Sequence, residues 1–318
     1  MVVHRVSRRT AIVAAAGWVA APGWAEADGW RCEAPGDAVE PRETAPVVAG
    51  RDRVFVLYRE LARFLRDPDP DRAAALRRAL GSRQAQRARV TYGDGLEEYL
   101  LEQTAGLDPE DARWATLADA AAAPAQVRAG LARGRALLDA DESPAVFLIF
   151  SRRFDGRTDG RRIFFGVDRF GVERLRDQVA LLTVHEYNHV VRARATSFAT
   201  LIGGVVAEGL ATACSELAEP DRPLRDHLLF SPAQFGWYTP ERLAQLWTDL
   251  SAAPFSTDPE RRRAYLDGGQ PGPCAAPPRS GYYLGYLLIR RLLARGASIA
   301  TLTRTPAAEI WSWSGDAD

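Results

Sequence analysis

The sequence predicts an α+β protein that is mainly helical, and two observations carry that prediction. Apolar residues recur at three- and four-residue spacing over most of the chain, in segments rich in the helix-favouring Ala, Arg and Leu. Near residue 150, two short continuous apolar runs break that period, as the strands of a small sheet do. With 318 residues, 47% hydrophobic and 26% charged, the chain has an ordinary globular composition and enough length for one large domain or two modest ones.

Taken in order, residues 1–27 read as an export signal. Arg5, Arg8 and Arg9 precede an apolar run over 11–21, and Ala25-Glu26-Ala27 offers a small-residue cleavage site. Ser7-Arg8-Arg9 resembles the core of a twin-arginine signal. The run is short of the roughly 20 apolar residues that a spanning helix needs. No other stretch reads as membrane-spanning, so the mature chain is expected to be soluble, and the export signal makes it periplasmic or secreted. Residues 28–50, with Pro35, Pro41 and Pro46, form an irregular lead-in. From 52 to 140 the period is helical: Val54, Leu57, Tyr58, Leu61 and Leu65 open it, and further helices are expected over 73–90, 96–101, 108–121 and 124–138. Residues 28–140 are thus a lead-in and a helical subdomain, and 141–318 a second domain. There, 144–150 and 162–167 are expected strands around a turn-rich 155–160. Helices are expected over 172–194, 198–219, 240–250, 258–266 and 282–293, with a loop over 268–280.

The 41 basic residues, all of them arginine, balance 41 acidic ones, and removal of 1–27 leaves 38 against 40. A chain without a basic excess is not a nucleic-acid binder. Of the three cysteines, Cys32 and Cys274 lie in Pro/Gly-rich segments and are the expected pair in an oxidising compartment, whereas Cys214 falls in a helix as a buried thiol.

Two of the four histidines stand four residues apart in His185-Glu186-Tyr187-Asn188-His189. On a helix, positions i and i+4 share a face, so both imidazoles can bind one metal ion. Glu186, about 100° round the helix, reaches a metal-bound water instead of the metal. The continuation Val190-Val191-Arg192-Ala193-Arg194 has neither the glycine nor the third histidine of a metzincin. After eighteen residues intervening from His189 comes Glu208, on an apolar stripe with Leu201, Val205 and Thr212. A carboxylate there is costly unless paired or bound to a metal. Two histidines and a glutamate with an open fourth position make the donor set of a catalytic Zn2+. Tyr282, Tyr283 and Tyr286 are candidate donors to an oxyanion, Tyr282 and Tyr286 sharing a helix face beside Gly281 and Gly285, which permit close helix approach. His227 reads as a surface or satisfied core histidine.

His185–Arg192 (HEYNHVVR), Ala207-Glu208-Gly209-Leu210-Ala211 and Gly281-Tyr282-Tyr283-Leu284-Gly285-Tyr286 together resemble the YjaZ-like zinc-dependent proteases, over roughly residues 140–310. The spacing to Glu208 is also similar to aminopeptidase-N-like gluzincins, although the upstream G-x-M-E-N element of those enzymes is missing. The resemblance implies a gluzincin-type zincin fold, with His185, His189 and Glu208 as zinc ligands and Glu186 as catalytic base; in related gluzincins a tyrosine downstream of the zinc glutamate is the oxyanion donor, which makes Tyr282 and Tyr286 candidates, and a peptide or protein is the expected substrate of such an enzyme. The alternative is an exported protein that keeps the fold for binding or scaffolding. Glu186 argues against it, because a metal-only site needs no carboxylate at that position.

Overall fold

Two stretches far apart in sequence, 53–56 and 145–166, build the sheet. The computed structural model describes residues 52–108, 122–151, 153–169, 172–267 and 271–315. The expected signal, the lead-in and nearly all of the helix expected over 108–121 lie outside the described residues. The fold is mainly helical with one four-stranded sheet among the described residues. Its contacts divide it into two compact units, one containing 46–194 and 214–222, the other 195–213 and 223–318.

The sheet unit runs β1 (Arg53–Val56), α1 (Tyr58–Arg66), α2 (Arg72–Ala79), α3 (Arg83–Tyr92), α4 (Leu96–Thr104), α5 (Ala123–Leu138), β2 (Ala145–Ile149), β3 (Gly156–Asp159), β4 (Arg162–Gly166) and α6 (Val172–Arg192). Strand order is β1-β2-β4-β3, with β2 parallel to both β1 and β4, and β3 antiparallel to β4 at the edge. All five residues of β2 are buried, as its continuous apolar run requires of a central parallel strand. Phe147 stacks on Phe164 at 5.1 Å and packs against Phe55 at 5.1 Å, so the three parallel strands share one aromatic layer. Asp71 and Ser82 cap α2 and α3 by accepting from the backbone N–H three residues on.

Three segments differ from the sequence reading. The single helix expected over 73–90 is two, α2 and α3, separated at residues 80–82, where the Ser82 hydroxyl caps α3. The helix expected from Val54 begins only at Tyr58, because residues 53–56 pair with 145–148 in the register Arg53↔Ala145 to Val56↔Leu148. Val-Phe-Val suits either state locally, and the distant partner strand decides. The turn expected over 155–160 is instead strand β3 followed by a tight turn in which Gly160 takes a φ of +58°.

α5 lies closely along α6. A Cβ on Gly130 would stand 2.6 Å from the Ala180 carbonyl oxygen, and one on Gly134 would stand 2.7 Å from the Tyr187 ring. The Tyr187 hydroxyl donates to the carbonyls of Ala140 and Glu142, both at 3.3 Å, which ties α6 to the end of α5.

The second unit contains most of α7 (Leu201–Ala218), then α8 (Leu224–His227), α9 (Pro232–Gly236), α10 (Pro240–Ala252), α11 (Pro259–Leu266), α12 (Ser280–Ala294), α13 (Ile299–Arg304) and α14 (Ala307–Gly315). Thr239, Asp258 and Ser298 cap α10, α11 and α13. The first N–H groups of α7 find acceptors outside the helix, Leu201 on Ser256 and Ile202 on Pro254, both at 2.8 Å. α7 is long and apolar enough to cross a membrane, yet 78% of it is buried, as in the core helix of a globular protein. It crosses α12 at two glycines: a Cβ on Gly209 would lie 2.1 Å from Gly285, and one on Gly285 would lie 1.9 Å from the Val205 carbonyl oxygen. Trp311 stacks on Trp247 at 6.2 Å, docking the last helix on its unit. Cys214 is buried and Cys274 exposed; the expected partner of Cys274, Cys32, lies outside the described residues.

Candidate metal centre

Nearly every residue of α6 from Val179 to Arg192 is buried, so this helix is enclosed and not merely amphipathic. His185 and Glu186 are 7% and 5% exposed, which takes both polar groups out of water and demands partners for them. The i, i+4 spacing turns the two imidazoles toward each other edge to face, with Nε2 of His189 3.2 Å from Nε2 of His185. Two nitrogens on one tetrahedral zinc at about 2.0–2.1 Å stand roughly 3.3 Å apart, so this separation suits a shared ion. One ligand atom each from His185, His189 and Glu208 lies within 4.8 Å of the others. Two imidazole nitrogens and a carboxylate oxygen fit a zinc ion with its fourth position open. These three residues can hold the metal.

Asn188 Nδ2 donates to Cys214 Sγ at 3.2 Å, pinning α6 to the last turns of α7. Complete burial pushes the Cys214 thiol up to about 12, partly offset by the Asn188 hydrogen bond, so it is a neutral packing group. Arg192, at the end of the motif, is fully buried, and desolvation pulls its guanidinium down to about 10.

Glu186 is not one of the three residues that could hold a metal; it faces strand β3. The Thr158 hydroxyl donates to its Oε2 at 2.7 Å and approaches its backbone carbonyl at 3.1 Å. A Cβ on Gly156 would stand 2.6 Å from its Oε1. The sequence reading passed over both residues. Their only signal was the alternation of Gly156 and Thr158 with the charged Arg157 and Asp159, hidden among turn-forming residues.

Tyr282 and Tyr286 lie on α12, on either side of the position where Gly285 meets Gly209, the neighbour of Glu208. Tyr286 is buried and stacks near Tyr283 at 6.4 Å, whereas Tyr282 is partly exposed with the Arg279 guanidinium over its ring at 5.8 Å. Tyr283 packs against Phe235 and Tyr238, so it serves the core of its unit. His227 is buried at the end of α8.

No curated protein and no solved structure matches the chain. A family model does match, from the first residue of β4 to α14, across His185, Glu186, His189, Glu208 and α12. Residues 162–312 match the model of the family described as predicted Zn-dependent protease (DUF2268), in agreement with the resemblance of their three motifs.

Proposed function

We propose that the protein is an exported zinc metallopeptidase of the gluzincin type. The observation that carries this reading is the meeting of His185 and His189 nitrogens with the Glu208 carboxylate, while Glu186 stays outside that set. A bound zinc supplies Lewis acidity, polarising a peptide carbonyl and bringing the pKa of water to about 7. Glu186 takes the proton of the attacking water and returns it to the leaving amine, within a buried surrounding that favours such transfers. Tyr282 or Tyr286 donates a hydroxyl hydrogen bond to the oxyanion that develops on the carbonyl. Strand β3 is the last of the sheet order, and it touches Glu186. An extended peptide adding to its outer edge would run past the base, which favours a peptide as substrate. The arginines before the apolar run and the small-residue site after it support export through residues 1–27.

The test combines metal analysis with cleavage of a peptide library by the mature chain. The wild type is expected to purify with one zinc per chain and to cleave peptides, and His189→Ala and Glu208→Ala to lose both. Wild-type zinc content in His189→Ala would show the ligand assignment to be wrong. A zinc-loaded wild type that cleaves nothing in a broad library would favour the binding or scaffolding alternative.

A further inference from the structure

We infer that Thr158 is a positioning residue for the general base, fixing Oε2 of Glu186 so that Oε1 is the oxygen that accepts the proton, and that Gly156 keeps Oε1 uncovered. The inference rests on reading Glu186 as the base. Neither residue belongs to the metal set, and both precede the segment that matches the family model, which begins at Arg162.

The terminal torsion of a glutamate is broad and roughly two-fold, so a carboxylate without a fixed donor presents either oxygen. Thr158 removes that freedom. Its single hydroxyl proton lies between Oε2 at 2.7 Å and the Glu186 backbone carbonyl at 3.1 Å, and the shorter contact to the charged acceptor is the stronger. The threonine is itself held, since a β-branched side chain has few rotamers and its backbone pairs opposite Ile163 of β4. Oε1 accepts no hydrogen bond among the described residues.

Gly156 lies two positions before Thr158, on the same face of β3, while Arg157 and Asp159 are exposed on the other. A Cβ at 156 would come within 2.6 Å of Oε1 and 3.2 Å of both Cδ and Cγ of Glu186. One strand face therefore does two things to one carboxylate. A hydroxyl holds the first oxygen, and a missing side chain leaves the second accessible.

The test measures kcat, KM and zinc content for wild type, Thr158→Ser, Thr158→Val and Gly156→Ala on a fluorogenic peptide drawn from the wild type's cleaved set. Thr158→Ser, which restores the donor, is expected within about threefold of wild type, and Thr158→Val to lose about 10- to 100-fold in kcat with little change in KM and full zinc content. Gly156→Ala is expected to lose kcat similarly with zinc retained. A Thr158→Val enzyme as fast as Thr158→Ser overturns the inference and leaves the protease reading standing. A double-mutant cycle of Thr158→Val and Glu186→Ala, read as melting temperature in zinc-free protein, is expected to be non-additive; additive shifts overturn the inference without any activity measurement. An inactive wild type removes the base, and with it this inference, whatever the cycle gives.

Discussion

Glu186 and His185 are adjacent in sequence, yet one helical step sends the imidazole to the metal set and the carboxylate to β3. That division was legible in the pentapeptide, because the i, i+4 rule is local geometry. The contacts of Glu186 were not, since they come from a strand twenty-eight residues earlier. Cys214 follows the same logic as the histidines: it is polar by composition but sealed by packing. Its folded value of about 12, raised by burial above the ordinary 9.0, means the folded protein keeps it protonated where an unfolded chain would ionise it. Stability on this account falls as pH rises from about 9 toward 12. At pH 8 and under a mild reductant that frees Cys274, iodoacetamide is expected to modify exposed Cys274 and spare Cys214 until denaturant is added, as read by peptide mass mapping. Rapid labelling of Cys214 in the native protein would contradict the packing described around Asn188. Among the tyrosines, replacing the oxyanion donor is expected to cost about 10²–10³ in kcat. Tyr282→Phe or Tyr286→Phe should show that loss, and Tyr283→Phe should not, because its ring is engaged with Phe235 and Tyr238.

At the scale of elements, glycines determine which helices approach most closely. Gly285→Ala would press a methyl against the Val205 carbonyl, and Gly209→Ala against the Gly285 backbone. Since backbone atoms cannot rotate aside, each is expected to cost at least about 1–3 kcal/mol in urea unfolding, and the pair to be non-additive because they share one crossing. Equal stability of Gly285→Ala and wild type would mean that α7 and α12 do not meet there. Helices with their own period and a capping side chain or an early proline, such as α5, α10 and α11, were readable in the sequence to within a few residues. Strands β1 and β3 were not. The spacing of Val54, Leu57 and Leu61 satisfies a helix, and only pairing with β2, some ninety residues on, selects the extended form. In and beside β3, Asp155, Gly156, Asp159 and Gly160 carry the composition of a turn, and the ladder of residues 156–159 with β4 overrides it. The closeness of α5 to α6 was equally hidden, since Gly130 and Gly134 read as weak points in a helix until Thr183 and Tyr187 are seen against them.

For the whole molecule, the balance of 41 basic against 41 acidic residues argues against nucleic acid as a partner, and the proposed function rests on a site of two histidines and two glutamates. A metal that binds only the folded chain adds stability by mass action, about 2.7 kcal/mol at a free concentration one hundred times its Kd. Chelation is therefore expected to lower the melting temperature as well as abolish hydrolysis, with zinc restoring both; an unchanged melting temperature after verified zinc removal would contradict that linkage. The most direct test of the central claim compares zinc stoichiometry and peptide hydrolysis in wild type and Glu186→Gln, measured side by side on the mature chain. The expected result is one zinc per chain in both, with hydrolysis in Glu186→Gln reduced by at least about 10²-fold. Hydrolysis at the wild-type rate by zinc-loaded Glu186→Gln would contradict the assignment of Glu186 as base, and loss of zinc from that variant would contradict its place outside the metal set.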